Sequence, residues 1–297
     1  MVIESINLKK YKKQHGRENQ FFITSYIGID LIKSVDDKPT DLNTSWNPQN
    51  IDNAKEEARL FIQRSSLVYS VSAFEAYLSD FIQNQVIPLS DILPKELEVA
   101  FLKKSIIHKI EQLVEEYPNL KTKEYYLVLS TIYWRNKLIH GTRDTFSGEQ
   151  KGKLRKHHDK YISSYCNLNI NDYITHYDEH KVPTFKETLS MMTNLRNYAA
   201  IIDYYFMSQC NLEKYITYNI KNLIDVEKIK NLDISSNSKS NSRFWRNVFE
   251  IELRLNVNTE LQSYPIWHKL IAAKNRQELD EILNNSKIDK KCLDSKF

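Results

Sequence analysis

Apolar side chains recur along most of this chain with the 3.6-residue period of an amphipathic helix. The longest such seam runs through residues 54–87 and ends at Pro88, which predicts one long helix. Its apolar positions are Leu60, Leu67, Val68, Val71, Phe74, Leu78, Phe81 and Ile82. With only five glycines and seven prolines in 297 residues, the pattern has few interruptions. It therefore predicts an all-α fold.

Three further helices follow from the same period. They are expected at about residues 95–118, 123–139 and 184–224, and the last carries Leu189, Met192, Leu195, Ile202 and Phe206. Together with the first seam they predict a four-helix bundle over residues 51–232.

The two ends of the chain are less regular. Residues 21–35 (FFITSYIGIDLIKSV) fit a strand or a helix, and a loop sequence follows, so the structure of the N-terminal segment 1–50 stays open. Residues 233–243 are rich in Ser and Asn, which predicts a linker. Residues 244–297 are then expected to form a small, mostly helical C-terminal extension.

Charge and cysteine content narrow the class of protein. Forty-two Lys and Arg against 38 Asp and Glu give a net charge of +4, so attraction to nucleic acid has to come from local clusters. Three cysteines without paired spacing, Cys166, Cys210 and Cys292, argue against a disulfide framework or a zinc ribbon. The sequence has no 18-residue apolar run and no signal peptide at its start. We therefore expect a cytoplasmic protein without membrane contact.

One stretch, YWRNKLIHG at residues 133–141, places unexpected polar groups on an apolar helix. On a helical wheel Arg135 falls in the same arc as Val128, Ile132 and Ile139, while Asn136 and His140 lie on an adjoining polar strip. Because a buried, unpaired guanidinium is very costly, Arg135 needs a carboxylate, carbonyl groups or a second subunit to face it. Gly141 marks the predicted end of the helix.

The order Arg135, Asn136 and then His140 near the end of a bundle helix resembles the hallmark of the HEPN family. The stretch SAFEAYLSDF at residues 72–81 is similar to one often found on the preceding helix of such bundles, and the resemblance covers roughly residues 50–225. It implies a homodimeric four-helix bundle acting as a metal-independent endoribonuclease, commonly a toxin or an antiviral-defence effector. The partners implied are RNA, a second copy and an antitoxin or other regulatory protein, without a cofactor.

The residue types suit that chemistry. His140 is the candidate for moving a proton between the ribose 2′-hydroxyl, the phosphate and the leaving 5′-oxygen. Arg135 is the candidate for stabilising the charged phosphorane with its bidentate fork, and Asn136 for holding the His140 ring or the substrate. Two-fold pairing of the third helices would set both Arg–His pairs in one cleft. The expected product ends in a 2′,3′-cyclic phosphate.

Basic residues on and after this motif are candidates for binding the RNA backbone. They are Lys137, Arg143, Lys151, Lys153, Arg155 and Lys156. Tyr161 and Tyr165 are nearby candidates for stacking on bases. The alternative for the same stretch is a solvated run of charges.

Three other interpretations remain open. Arg135 could be a core residue paired with Glu75, with His140 capping its helix. The bundle could be a non-catalytic dimerisation or interaction module. His176, Glu179 and His180 match the inverted zinc-protease pattern, which on one helix would place both imidazoles on a common face around zinc with Glu179 as the base. No nucleotide-binding glycine loop or nucleophile elbow is present.

Overall fold

The computed structural model describes residues 4–84, 105–141, 146–225, 238–253, 262 and 264–285. All regular secondary structure within these ranges is helical, which confirms the all-α prediction. In the same ranges no helix has the length and apolar character needed to span a membrane.

The described residues form twelve α-helices. They are α1 (Ile6–Leu31), α2 (Ile51–Asn84), α3 (Ile106–Glu116), α4 (Lys123–His140), α5 (Gly148–Lys156), α6 (His158–Ser164), α7 (Ile170–Asp178), α8 (Phe185–Met207), α9 (Leu212–Asp225), α10 (Ser238–Asn247), α11 (Pro265–Ala272) and α12 (Arg276–Asn285). A π-helical turn, Val248–Glu252, directly follows α10.

Two predicted helices have different bounds in the structure. The predicted helix 184–224 is two helices, because α8 ends at Met207 and α9 begins at Leu212. The side chain of Asn211 accepts the Lys214 N–H at 3.1 Å and so caps the start of α9. Of the predicted helix 95–118, the described part is α3, and residues 95–104 lie outside the described ranges.

The flanking segments are more ordered than predicted. The N-terminal segment is the 26-residue helix α1, and its buried residues recur at helical spacing. They include Leu8, Tyr11, His15, Glu18, Phe22 and Ile29. Helix α10 begins at Ser238, within the residues 233–243 predicted as a linker. There Asn241 is buried and donates to the carbonyl of Ala273 at 2.7 Å. A residue typical of linkers is therefore part of the packed interior.

The chain divides into two compact units. As far as their residues are described, the larger comprises Lys10–Leu78 and Lys103–Ile201, and the smaller comprises Met1–Lys9, Ser79–Leu102 and Ile202–Phe297. These limits differ from the predicted division at 51 and 232.

Helix α8 contacts three other long helices inside the larger unit. The carbonyl of Met192 accepts a hydrogen bond from His15 Nε2 of α1 at 2.8 Å. The carbonyl of Ala199 accepts one from the Tyr77 hydroxyl of α2 at 3.1 Å. Asn194 Nδ2 donates to the carbonyl of Glu124 in α4 at 3.0 Å. Helix α1 therefore belongs to the packed interior of this unit.

In the smaller unit the start of α1 is held by Asp203. The Ser5 N–H donates to one carboxylate oxygen at 2.9 Å, the Ser5 hydroxyl donates to the other, and the same hydroxyl accepts the Leu8 N–H. The Tyr215 hydroxyl accepts the Ile6 N–H at 2.9 Å. These bonds satisfy N–H groups that a helix start leaves without an intrahelical partner.

Two buried ionisable groups in the α1 seam make the larger unit sensitive to pH. Burial lowers the pKa of His15 from 6.5, and burial raises the pKa of Glu18 from 4.5. The Glu18 carboxylate accepts a hydrogen bond from the Ser70 hydroxyl of α2 at 3.2 Å. The contribution of His15 to stability is lost as the pH falls below its unfolded pKa. The contribution of Glu18 has the opposite sign, because it is present below the unfolded pKa and lost as the pH rises through the folded pKa.

Replacing Glu18 with glutamine is expected to raise the free energy of unfolding at pH 7 by about 1 kcal/mol. The neutral amide keeps polar contacts and removes a charge that the fold has to bury. Urea unfolding at pH 7 and at about pH 4 measures the effect, which shrinks at the lower pH. Glu57→Gln changes an exposed carboxylate of α2 and is the matched control. A loss of stability at pH 7 in Glu18→Gln alone would contradict this account.

Candidate active site

Helix α4 carries the candidate residues at the point where it leaves the protein interior. Its middle, residues 127–132, is entirely buried, and Val128 and Ile132 are 0% exposed. From Arg135 onwards the residues become half-buried, and Ile139 and His140 are exposed. The arc that contains Arg135 therefore runs from the core to the surface.

Trp134, immediately before Arg135, fixes this end of α4 against α7. It is 1% exposed, and its ring meets Tyr173 edge to face at a centroid distance of 4.6 Å and Tyr177 at 5.6 Å. The Tyr173 hydroxyl is 2.9 Å from the Ser130 hydroxyl one turn earlier in α4. The backbone that presents Arg135 is thus held by packing on its opposite side.

The Arg135 guanidinium has few partners for a half-buried cation. Its Nη1 donates to Oδ1 of Asn136 at 3.0 Å, while its Nε is buried without a hydrogen-bond partner. In the described ranges it forms no ion pair with a carboxylate. Glu75 instead lies 3.5 Å from the ammonium group of Lys109, so the alternative pairing of Arg135 with Glu75 is wrong.

His140 is the last residue of α4 and is exposed. Gly141 follows with φ 76° and ψ −150°, and its N–H donates to the Lys137 carbonyl at 3.0 Å. Arg143 lies outside the described residues. The chain then returns to α4, since the buried Phe146 ring lies 6.0 Å from that of Tyr133.

Arg135 and His140 of one chain lie on different sides of α4. Five residues of helix separate them by roughly 140° about the axis and about 7.5 Å along it. Within the described residues no hydrogen bond joins them. A single helix therefore supplies the two groups separately.

Two of the lysines predicted to bind substrate have structural partners. The Lys137 ammonium donates to the Tyr177 carbonyl at the end of α7 and lies 4.1 Å from the Tyr177 ring centroid. Burial lowers the pKa of Lys137. Lys151 forms an ion pair with Asp178 at 2.7 Å. Both therefore attach α4 and α5 to α7.

The other basic residues of α5 remain at the surface. Lys153, Arg155 and Lys156 are exposed, and α5 packs against α4 and α7. They are available to an anionic ligand near the end of α4.

Tyr161 and Tyr165 are core residues, so the prediction that they stack on bases is wrong. They are 0% and 2% exposed, and the Tyr161 hydroxyl donates to the Lys123 carbonyl at 2.6 Å. Burial raises the pKa of Tyr165 to about 12. Their aromatic rings fill the space between α4 and α6.

Replacing Lys137 with methionine is expected to lower the free energy of unfolding by about 1 kcal/mol. Methionine keeps most of the aliphatic stem and loses the bond to the Tyr177 carbonyl and the contact with its ring. Urea unfolding measures the change. Lys153→Met is the matched control, because Lys153 is exposed and its replacement should have almost no effect. Equal effects of the two substitutions would argue against a structural role for Lys137.

The alternative of a zinc site needs His176, Glu179 and His180 on one helix, and the structure does not place them so. Helix α7 ends at Asp178, and His180 adopts φ 62°. Glu187 Oε1 lies 2.9 Å from His176 Nδ1, and Glu179 pairs with Lys181. In the described part of the chain no group of three or more His, Cys, Asp or Glu residues is arranged to hold a metal ion.

Tyr173 and Tyr177, which contact Trp134 of α4, could not be found from the sequence. Their partners, Ser130 and Lys137, are about 40 residues away in the chain. No local spacing signals such a contact.

No family model, curated protein or solved structure matches the chain.

Proposed function

We propose that this protein is a metal-independent endoribonuclease of the HEPN type, acting as a homodimer. The observation that carries the proposal is the Arg135 guanidinium, which is half-buried, has an unpartnered Nε and forms no ion pair in the described ranges. Two neighbouring cations differ from Arg135 in this respect, because the ammonium groups of Lys137 and Lys151 bind partners on α7. A guanidinium left without an anion at a helix end suits an anionic ligand.

The reaction is attack of a ribose 2′-oxygen on the adjacent phosphorus. The bond from the 2′-oxygen to phosphorus forms, the bond from phosphorus to the 5′-oxygen breaks, and the 2′-hydroxyl proton ends on the leaving 5′-oxygen. His140 moves that proton, and Arg135 stabilises the negative charge gathered on the phosphoryl oxygens. The products are a 2′,3′-cyclic phosphate and a 5′-hydroxyl.

The dimer supplies the geometry that one chain lacks. Because Arg135 and His140 lie on different sides of α4, pairing two copies of this helix end would bring the groups of both chains to one cleft. Ile139 is 45% exposed, one turn from Arg135, and offers an apolar contact to the second copy. Lys153, Arg155 and Lys156 would then contact the RNA backbone, and an antitoxin or regulatory protein would restrain the activity.

The first experiment is incubation of the purified chain with total RNA in EDTA, followed by mapping of the new ends. Cleavage with cyclic phosphate ends is expected despite the chelator. No cleavage, or cleavage that needs added metal, would contradict the proposal.

Arg135→Lys tests the bidentate fork, since it keeps the charge and loses the paired donors. The rate of RNA cleavage should fall on the order of 10²-fold. Arg64→Lys changes an exposed arginine of α2 and should leave the rate unchanged. Full activity in Arg135→Lys would remove Arg135 from the mechanism.

A second candidate function, a non-catalytic interaction module, is favoured by the outer stripe of α2. We define this stripe as Phe61, Ser65, Tyr69, Ser72 and Ala76, all of which are exposed and uncharged. They fall within an arc of about 80°, and Phe61 and Tyr69 are 69% and 56% exposed. The two large residues, Phe61 and Tyr69, are each followed by small ones, so two antiparallel copies could fit Phe61 of each against Ser72 and Ala76 of the other.

Measurement of the oligomeric state separates the two candidates. If the nuclease dimer forms at the end of α4, Ile139→Glu should weaken both association and RNA cleavage. If the chain is an interaction module paired through the outer stripe of α2, Phe61→Glu should dissociate it, and no RNA cleavage should be found in any variant.

A further inference from the structure

Three helices of the smaller unit line an open cleft of about 580 Å³. Helix α9 contributes Glu213 and Thr217, which are one turn apart on the same face. Helix α11 contributes Ile266 and Lys269, and α12 contributes Glu278, Glu281 and Ile282. The lining thus combines three carboxylates and one ammonium group with aliphatic side chains, which gives the cleft a negative charge.

The carboxylates of the cleft keep capacity for a ligand. In the described contacts Glu213 uses Oε1 to accept the Ile266 N–H at 3.3 Å, and Glu281 uses Oε1 to accept from Gln277 Nε2 at 3.4 Å. Glu278 accepts from the Lys274 N–H and from Asn275 Nδ2. A carboxylate has about four acceptor positions on its two oxygens, so each can accept further donors.

Thr217 independently points to a ligand. The residue is 0% exposed, lines the cleft, and its Oγ1 is buried without a hydrogen-bond partner. Most buried hydroxyl groups are paired, because an unpaired polar atom loses its bonds to water without replacement. A donor that enters the cleft would restore the missing bond.

A metal ion fits this cleft poorly. In the described part of the chain no three acidic, histidine or cysteine side chains converge closely enough to bind one ion. A larger organic cation can reach separated carboxylates at once, and its carbon chain can lie against Ile266 and Ile282.

We propose that the cleft binds an alkylammonium group, with the ammonium head between Glu213 and Glu281, donating to the Thr217 hydroxyl, and the aliphatic stem along Ile266 and Ile282. Such a group comes from a free polyamine or from the lysine side chain of a peptide. RNA is excluded as the occupant, because the carboxylates repel its phosphates. The proposal stands apart from the nuclease function, and its test measures binding alone.

The experiment is calorimetric titration of the full chain at low salt with two probes, spermidine and a capped tripeptide with one central lysine. Thr217→Val keeps the side-chain shape and removes the hydroxyl, and it should weaken binding roughly tenfold. Glu281→Gln changes an exposed residue that cannot threaten folding, and it should weaken binding roughly threefold. Glu250→Gln, an exposed residue that does not line the cleft, should bind as the wild type does.

Each outcome decides the question. If only spermidine binds, and both Thr217→Val and Glu281→Gln weaken its binding, the cleft is a polyamine site. If the tripeptide binds and both variants weaken its binding, the cleft takes a lysine side chain. Absence of binding by both probes at millimolar concentration overturns the proposal. Binding that is unchanged in both Thr217→Val and Glu281→Gln overturns it as well, because the cations would then be held by general surface charge.

Discussion

His140→Ala is expected to lower the rate of RNA cleavage about 10²–10⁴-fold. The substitution removes the group proposed to move the 2′-hydroxyl proton, and it does so at an exposed helix end where no packing is lost. Cleavage of a labelled RNA in EDTA measures the rate, and circular dichroism checks that the fold is intact. His268→Ala changes an exposed histidine of α11 and is the matched control, which should cleave at the wild-type rate. If His140→Ala cleaves as fast as that control, His140 is not the catalytic histidine.

Mixing two inactive variants tests whether two chains share the site. A heterodimer of Arg135→Ala and His140→Ala would keep one intact arginine and one intact histidine, contributed by different chains. Partial recovery of cleavage on mixing is therefore expected. If the mixture remains inactive under conditions where heterodimers form, each site is built within one chain.

Trp134→Ala is expected to lower the free energy of unfolding by about 3–5 kcal/mol. The side chain is 1% exposed and packs on Tyr173 and Tyr177, so alanine would leave a large cavity between α4 and α7. Urea unfolding monitored by circular dichroism measures the loss. Phe21→Ala removes an aromatic side chain of α1 that is 71% exposed and should cost far less. Similar losses in the two variants would mean that Trp134 does not hold α4 to α7.

The sequence predicted α2 and α4 well because their apolar seams are continuous. It left α1 undecided because residues 21–35 fit a strand or a helix, and because α1 buries two polar residues, His15 and Glu18, in its seam. It joined α8 to α9 because residues 208–211 contain neither Gly nor Pro, and the Asn211 cap there is a weaker signal. Polar residues with structural roles are thus the main source of error in the fold.

At the candidate site, the sequence predicted the position of Arg135, His140 and Gly141 at a helix end. It did not separate lysines that bind the protein from lysines that face solvent. Lys137 and Lys153 have the same chemistry, and only the distant carbonyl of Tyr177 distinguishes them. Tyr161 was mistaken for a surface aromatic for the same reason, since its burial depends on helices far away in the sequence.

Gly141 is required at the end of α4 for its backbone torsion angles and not for lack of space. A Cβ added at this position would meet nothing within 4 Å, yet φ 76° and ψ −150° belong to a region that only glycine adopts readily. Any other residue there would therefore rotate the outgoing chain instead of colliding with a neighbour. The direction in which the chain leaves α4 therefore depends on the torsion angles of residue 141, and substitutions there would change that direction while Arg135 and His140 stay unaltered.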